Sequence, residues 1–160
     1  MSAGKATRFK HDVLTTAAPM KTAFTDEQSI AAPADAVWTR LTDWSGAANW
    51  MPGVDSMRAD GPLAVGTVLH FVARGKERTS TITAIEPGRA LTMRSAVGGV
   101  TADYAYSIEP GATDAAGSRV RLDAAVGTRG LVSLLAPMIR GAIAREDGVQ
   151  LTRLKAWVEG

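Results

Sequence analysis

Two tyrosines on one strand-like segment are the first residues whose type and spacing could do chemistry. Tyr104 and Tyr106 lie two positions apart, so both side chains point to the same face of a β-sheet. A buried tyrosine hydroxyl needs a hydrogen-bond partner. In a dry core a protein acceptor would serve, whereas in a pocket the hydroxyls could orient a ligand carbonyl or hydroxyl. The sequence leaves both interpretations open.

A polar turn near the C-terminus is the second candidate. The helical segment 131–158 carries one apolar stripe, formed by Val132, Ala136, Ile139, Ile143, Leu154 and Trp157. Glu146, Asp147 and Gln150 fall within that stripe. Either Pro137 or Gly148 shifts the helical phase and returns them to solvent, or one polar turn faces a hydrated cavity. A carboxylate there would have a raised pKa and could act as a general acid or base. The catalytic candidates are therefore Tyr104, Tyr106 and Glu146, although no acid/base pair stands out from the spacing.

Other familiar chemistries have no signature in this chain. His11 and His70 lie far apart, cysteine is absent, and no cluster has metal-ligand spacing, so neither a metal nor a cofactor is expected. His70 alternates with Leu69 and Phe71 and should point outward. Arginines and aspartates share the outer face of the strands, namely Arg94, Arg119, Arg121, Asp103 and Asp123. Since the aromatic residues face inward instead, nucleic-acid binding is not expected.

Composition describes an ordinary globular protein. The 160 residues are 46% hydrophobic and 21% charged, and no apolar run is long enough to span a bilayer, so integral membrane association is not expected. The absence of cysteine and of a signal-like N-terminus favours the cytoplasm. Residues 1–21 carry a net charge of +3, from four basic residues against Asp12, while the whole chain is +2. We expect a basic, poorly ordered leader over 1–20 and a single domain over 21–160.

The order of elements predicts an α+β fold. A strand over 22–30 is followed by a helix starting at Ala32-Pro33 and by a second short helix from Asp43, a candidate cap, to Met51. Strands are then predicted at 55–60, 67–73, 78–86, 90–96, 100–109 and 118–126, with Gly98-Gly99 as a hairpin turn. Apolar and polar residues alternate along them, so the sheet is an antiparallel meander covered on one face. The cover is the segment 131–158, with a bend or break expected near Pro137.

The most informative stretch is DWSGAANWMPGV, Asp43 to Val54, which places two tryptophans beside a forced turn at Pro52-Gly53. From Thr22 to Trp157 the chain resembles the SRPBCC superfamily of START-related lipid-transfer domains, pollen-allergen-like proteins and polyketide cyclase/dehydrase-like proteins. The resemblance is carried by SIAAPADAVWTRLTDW (29–44), the following NWMPGV, Gly66, the turn Glu86-Pro87-Gly88, and Leu151, Leu154 and Trp157. It implies a helix-grip fold: a curved antiparallel β-sheet wrapped around a long C-terminal helix, with two short helices after the first strand.

Such a sheet should enclose a cavity. A helix is only about 10–12 Å across, and the inward residues include several alanines and Ser95, too small to fill a wide curved sheet. We therefore predict a ligand-sized space. The expected ligand-binding residues are Trp50, Met51, Phe71, Met93, Tyr104, Tyr106, Ile139 and Ile143.

The expected function is non-catalytic binding or carriage of a small hydrophobic ligand, such as a lipid, an isoprenoid or a polyketide-like aromatic. One alternative is a polyketide aromatase/cyclase or dehydratase that uses the same pocket. A second alternative is an interaction module, a homodimer with a filled cavity and a large exposed apolar patch.

Overall fold

The computed structural model describes residues 19–113 and 117–160. Almost all of the predicted leader lies outside the described residues. The strands are β1 (Lys21–Ile30), β2 (Val54–Ala59), β3 (Val68–Ala73), β4 (Lys76–Glu86), β5 (Ala90–Val97), β6 (Val100–Pro110) and β7 (Ser118–Thr128). The helices are α1 (Ala34–Leu41), α2 (Ala136–Asp147) and α3 (Gln150–Glu159), with 3₁₀ helices at Trp44–Asn49 and Gly130–Leu135.

The strands form one antiparallel sheet in the order β1-β7-β6-β5-β4-β3-β2. Its two-residue hairpins at Arg74-Gly75 and Gly98-Gly99 have positive φ at both positions, the geometry that matches the twist of paired strands. Register shifts near Ala23, Asp55 and Thr83 interrupt the pairing, and such bulges bend a sheet. The α+β helix-grip fold is confirmed.

The inner face of the sheet carries the residues that alternation predicted. Met93 lies opposite Tyr104 across the β5–β6 pair, and Tyr106 lies opposite Leu122 across the β6–β7 pair. Leu69, Leu91 and Leu122 are almost completely buried. The outer face carries ion pairs instead, such as Arg94 with Asp103 at 2.6 Å and Arg121 with Asp123 at 2.8 Å. His70 lies on this outer face, 3.6 Å from Asp60.

The C-terminal cover consists of two helices rather than one. The predicted bend or break near Pro137 is confirmed, because the 3₁₀ helix ends at Leu135 and α2 begins at Ala136. Pro137 lies in the first turn of α2, where its missing N–H is harmless. A second break follows at Gly148 and Val149, which cap the end of α2 and the start of α3. α3 buries Gln150, Leu151 and Leu154, whereas no residue of α2 is fully buried. Thus α3 closes the core and α2 covers a less filled region.

The second short helix differs from the prediction in type and in cap. It is a 3₁₀ helix, and Asp43 accepts a hydrogen bond from the Ser45 hydroxyl at 2.6 Å instead of capping the backbone. Gly46 explains its close approach to the C-terminal helix, because a Cβ at this position would overlap the Trp157 ring, with Cζ2 at 2.5 Å. The Arg40 guanidinium lies over the same ring, 4.7 Å from its centroid.

Replacing Gly46 by alanine is therefore expected to lower the free energy of unfolding by about 1–3 kcal/mol, since the Trp157 ring must shift in a packed region. Urea unfolding measures the change. Gly61→Ala is the matched control, because the nearest atom to its added methyl group would be 3.9 Å away. Equal stabilities of the two variants would show that the Trp157 contact does not constrain this helix.

No helix among the described residues is both long enough and apolar enough to cross a bilayer.

Candidate functional site

A cavity of about 570 Å³ lies between the inner face of the sheet and the cover helices. Its lining residues come from the Met51-Pro52 turn, from five strands and from the polar turn at the end of α2. The exposed side chains of Arg74 and Glu146 lie at its rim, where their ion pair of 3.0 Å joins the β3–β4 hairpin to α2. The cavity therefore opens at the end of the sheet that carries the Arg74-Gly75 hairpin.

Six of the eight expected ligand-binding residues line this cavity. Three strands, α2 and the Met51-Pro52 turn bring them together, although they are spread over nearly a hundred positions: Met51, Phe71, Met93, Tyr104, Tyr106 and Ile143. Trp50 does not line it. Its fully buried ring packs edge-on against Tyr106, with centroids 5.7 Å apart, so it supports the wall from behind. Ile139 is also absent from the lining, because it lies a full turn of α2 before Ile143.

The floor of the cavity is polar, because both tyrosines reach the polar turn of the cover helices. The Tyr104 hydroxyl donates a hydrogen bond to Asp147 Oδ2 at 2.6 Å, and the Tyr106 hydroxyl donates to Gln150 Oε1 at 2.5 Å. Both interpretations of the tyrosines hold in part, since the hydroxyls have protein acceptors and also border the cavity. The break between α2 and α3 at Gly148 does not expose these two acceptors, since Asp147 is half-buried and Gln150 is buried.

Electrostatics distinguish Asp147 from the other groups. Burial raises the pKa of the Asp147 carboxyl, and the neighbouring Glu146 raises it further, while the hydrogen bond from Tyr104 acts in the opposite direction. Burial, together with the charge of Asp147, also raises the pKa of Tyr104 and of Tyr106, so both hydroxyls remain protonated donors. Asp147 is thus the carboxyl at the cavity floor whose pKa is raised. Glu146, the catalytic candidate from the sequence, lies half exposed at the rim.

Arg78 is the charged wall residue of most consequence among those that sequence analysis missed, which also include Val54, Met57 and Ser80. Its half-buried side chain lines the cavity beside Phe71, its neighbour across the β3–β4 pair, and no carboxylate lies within salt-bridge distance of it among the described residues. Strand alternation could have found it, because Arg78 shares the inner face with Ser80 and Ile82. A cation without a partner on an apolar wall favours a ligand that carries an acceptor or an anionic group.

A second cavity, of about 520 Å³, adjoins the first. It shares Met57, Phe71 and Arg78 with it and extends to Ala96 and Val97 at the end of β5. β4 and β5 pair only as far as Thr81 and Arg94, so the two strands separate beyond that point. Arg78 lies where the two spaces meet.

No group of three or more His, Asp or Glu side chains that could hold a metal ion is found within 19–113 and 117–160.

Comparison with known proteins identifies the family to which this chain belongs. Residues 21–159 match the family described as polyketide cyclase / dehydrase and lipid transport. The chain belongs to this family. The match covers nearly every described residue, so the polyketide cyclase / dehydrase and lipid transport family extends over the whole sheet and its cover. No curated protein sequence matches the chain.

Solved structures show the same fold as this family member. The Zhui aromatase/cyclase from Streptomyces sp. R1128 is 19% identical with a TM-score of 0.68, and the alignment covers 88% of this chain and 94% of that one. The di-domain aromatase/cyclase StfQ of steffimycin biosynthesis is 13% identical with a TM-score of 0.68, covering 88% and 51%. Norcoclaurine synthase from Thalictrum flavum is 16% identical with a TM-score of 0.61, covering 99% and 96%.

Proposed function

We propose that this protein binds and carries a small hydrophobic molecule that has one polar end. The observation that supports the proposal is the cavity of about 570 Å³, whose walls are apolar and whose floor carries hydrogen-bonding groups. Its volume lies within the range of about 300–1,000 Å³ found for small-molecule sites. The family's own description, which includes lipid transport, agrees with this function.

Apolar contact supplies most of the binding free energy in such a site. Met51, Met57 and Met93 lie in the wall, and their flexible thioether side chains adapt to ligands of irregular shape. Burial of ligand surface against them contributes roughly 25 cal/mol per Å². The polar groups then set the orientation, since an apolar wall alone does not distinguish the two ends of a ligand.

Two polar positions are available to the ligand. At the floor, Tyr104 and Asp147 can exchange their mutual hydrogen bond for bonds to a ligand hydroxyl or carbonyl. On the β4 part of the lining, Arg78 can pair with an enolate, a carboxylate or a strongly polarised carbonyl. An oxygenated aromatic or an isoprenoid with a terminal polar group therefore fits better than a plain hydrocarbon.

A second candidate function is catalysis by the same pocket, as a polyketide cyclase or dehydratase. The specific observation that favours it is a buried carboxyl of raised pKa, Asp147, in contact with the protonated hydroxyl of Tyr104. Asp147 would accept a proton from carbon or oxygen, and Tyr104 would donate a hydrogen bond to the developing oxyanion. The homodimer alternative predicts a filled cavity, and the unfilled space argues against it.

Native mass spectrometry of the purified full-length chain tests the proposal. We expect a non-covalent adduct with the mass of one small organic molecule, released when the protein is unfolded. After extraction and re-addition, a carrier returns the molecule unchanged, whereas an enzyme releases a chemically altered product. A chain that carries no adduct and binds none of the hydrophobic extract when it is added back would contradict the proposal.

A further inference from the structure

An exposed apolar surface lies outside the cavity. Leu131 and Leu134, in the 3₁₀ helix that follows β7, are 85% and 81% exposed, and Met138 in the first turn of α2 is 62% exposed. Leu135 is half exposed between them. We refer to these four residues as the apolar tip. Long apolar side chains that protrude together into solvent mark an interaction surface, because isolated exposure is ordinary but clustering is not.

The apolar tip lies at the mouth end of the sheet. The Arg129 N–H, just before the tip, donates a hydrogen bond to the Gly99 carbonyl in the β5–β6 hairpin at 2.9 Å. Ser95 and Ala102 line the cavity on the two strands that this hairpin joins. Antiparallel pairing brings the Arg74-Gly75 hairpin, at the cavity rim, to the same end. Val97, 55% exposed beside the β5–β6 turn, extends the apolar surface towards the mouth.

The chain segment that carries the tip is positively charged. From Ala124 to Arg145 the chain contains three arginines, Arg129, Arg140 and Arg145, and no aspartate or glutamate. At the cavity rim of the same end, Arg74 is paired with Glu146, and Lys76 and Glu77 are both exposed, so the rim adds no net charge to that of the tip. Protruding leucines flanked by arginines are the composition of segments that insert into the interface of an anionic membrane.

Two other occupants fit less well. A second copy that docked by the same face would bring arginines against arginines, and like charges disfavour such an interface. Residues 1–18 carry Lys5, Arg8 and Lys10 against Asp12, so the N-terminal segment is also of the wrong charge. A protein partner would have to provide a pocket for each protruding side chain, whereas fluid acyl chains accommodate leucines of any arrangement.

We propose that the apolar tip docks this protein on an anionic lipid surface, with Arg129 and Arg140 contacting lipid phosphates and Leu131 and Leu134 entering the acyl boundary. The cavity mouth then faces the membrane, from which an apolar ligand can enter without crossing water. The proposal concerns a surface that is separate from the cavity. It therefore stands or falls independently of what the cavity holds.

Vesicle flotation with the full-length chain tests the docking surface. We expect the protein to float with phosphatidylcholine vesicles that contain phosphatidylglycerol, and to float much less with phosphatidylcholine alone. Leu131→Ser and Leu134→Ser together should lower the partition coefficient about a hundredfold, roughly tenfold for each leucine removed from the interface. Arg129→Gln should lower it about fivefold and weaken the dependence on anionic lipid.

Matched controls lie at the other end of the sheet. Val65 is 63% exposed in the β2–β3 connection, and Arg89 is exposed in the β4–β5 turn. Val65→Ser and Arg89→Gln should float like the wild type, and circular dichroism should show all variants folded. Equal flotation on neutral and anionic vesicles, or unchanged flotation of the double leucine variant, overturns the proposal. So does a dimer in sedimentation analysis that is lost in the double variant while no vesicle binding is seen, because the tip would then bind a second copy.

Discussion

Replacing Ala102 by phenylalanine is expected to lower the affinity for the ligand about 100-fold while leaving the stability of the fold unchanged. Ala102 is on the inner face of β6 and lines the cavity. A benzyl group there occupies space that ligand atoms would otherwise fill, and loss of about 3 kcal/mol of apolar contact corresponds to roughly 100-fold in Kd. Titration with the co-purified molecule measures the affinity, and urea unfolding measures the stability.

The stability result separates an open cavity from a packed core. In a solid core, the added ring would cost about 1–3 kcal/mol of overpacking. In the open cavity it gains contacts, so the free energy of unfolding stays the same or rises. Ala84→Phe is the matched control, because Ala84 lies on the exposed face of β4 and adds the same ring outside the cavity. A destabilised Ala102→Phe variant would mean that the space closes in solution.

Replacing Asp147 by asparagine is expected to stabilise the protein at neutral pH. Burial raises the pKa of the Asp147 carboxyl in the folded state above its unfolded value of about 4. The folded state therefore binds the proton more tightly than the unfolded state does. The contribution of Asp147 to stability is greatest at a pH below the unfolded-state pKa of about 4. It is lost as the pH rises through the folded-state pKa. Asparagine keeps the shape and an acceptor for Tyr104 without the charge.

The pH profile of unfolding checks this prediction. The stability difference between Asp147→Asn and wild type should be absent at low pH and should grow as the pH rises. At its plateau it should amount to about 1.4 kcal/mol for each unit by which folding raises the pKa of Asp147. Carbon-detected NMR of the aspartate carboxyl measures the pKa directly. Glu77→Gln, an exposed carboxylate on β4, is the control and should show little effect. A carboxyl that titrates near 4 leaves Asp147 no acid/base role.

Asp147 also separates the two candidate functions. If the pocket catalyses a cyclisation or dehydration, Asp147→Asn should abolish turnover, because the amide cannot accept the proton. If the protein is a carrier, the same variant should still bind the ligand. Measuring product formation and binding on the same preparation therefore distinguishes an enzyme from a carrier.

Much of the sheet was predictable from local signals. The alternation of Ala102, Tyr104, Tyr106 and Ile108 fixes which face of β6 is buried, and Gly98-Gly99 fixes the turn before it. The break near Pro137 was predictable from the proline itself, whereas the position of the second break was not, because Gly141 and Gly148 can both interrupt a helix. Tertiary packing chooses Gly148, since α3 buries Leu151 and Leu154 in the core while α2 lies over the cavity.

The sequence predicts which side chains face the site, but not which of them are paired with residues from distant elements. Alternation and the helical wheel identify the tyrosines and the polar turn, and the resemblance to a known family indicates that they enclose a space. Choosing Asp147 over Glu146 depends on Arg74, which binds Glu146 at the rim from a hairpin 72 residues away. No pattern within the helix reveals such a partner.

Fluorescence titration with 1-aminoanthracene, a neutral apolar probe, tests most directly whether the space inside the sheet accepts a small molecule. We expect the wild type to bind one probe per chain with a blue-shifted emission, the Ala84→Phe control to do the same, and Ala102→Phe to lose the signal. A wild type without saturable binding, or equal binding by Ala102→Phe, would contradict a ligand-binding cavity and leave this protein with the fold alone.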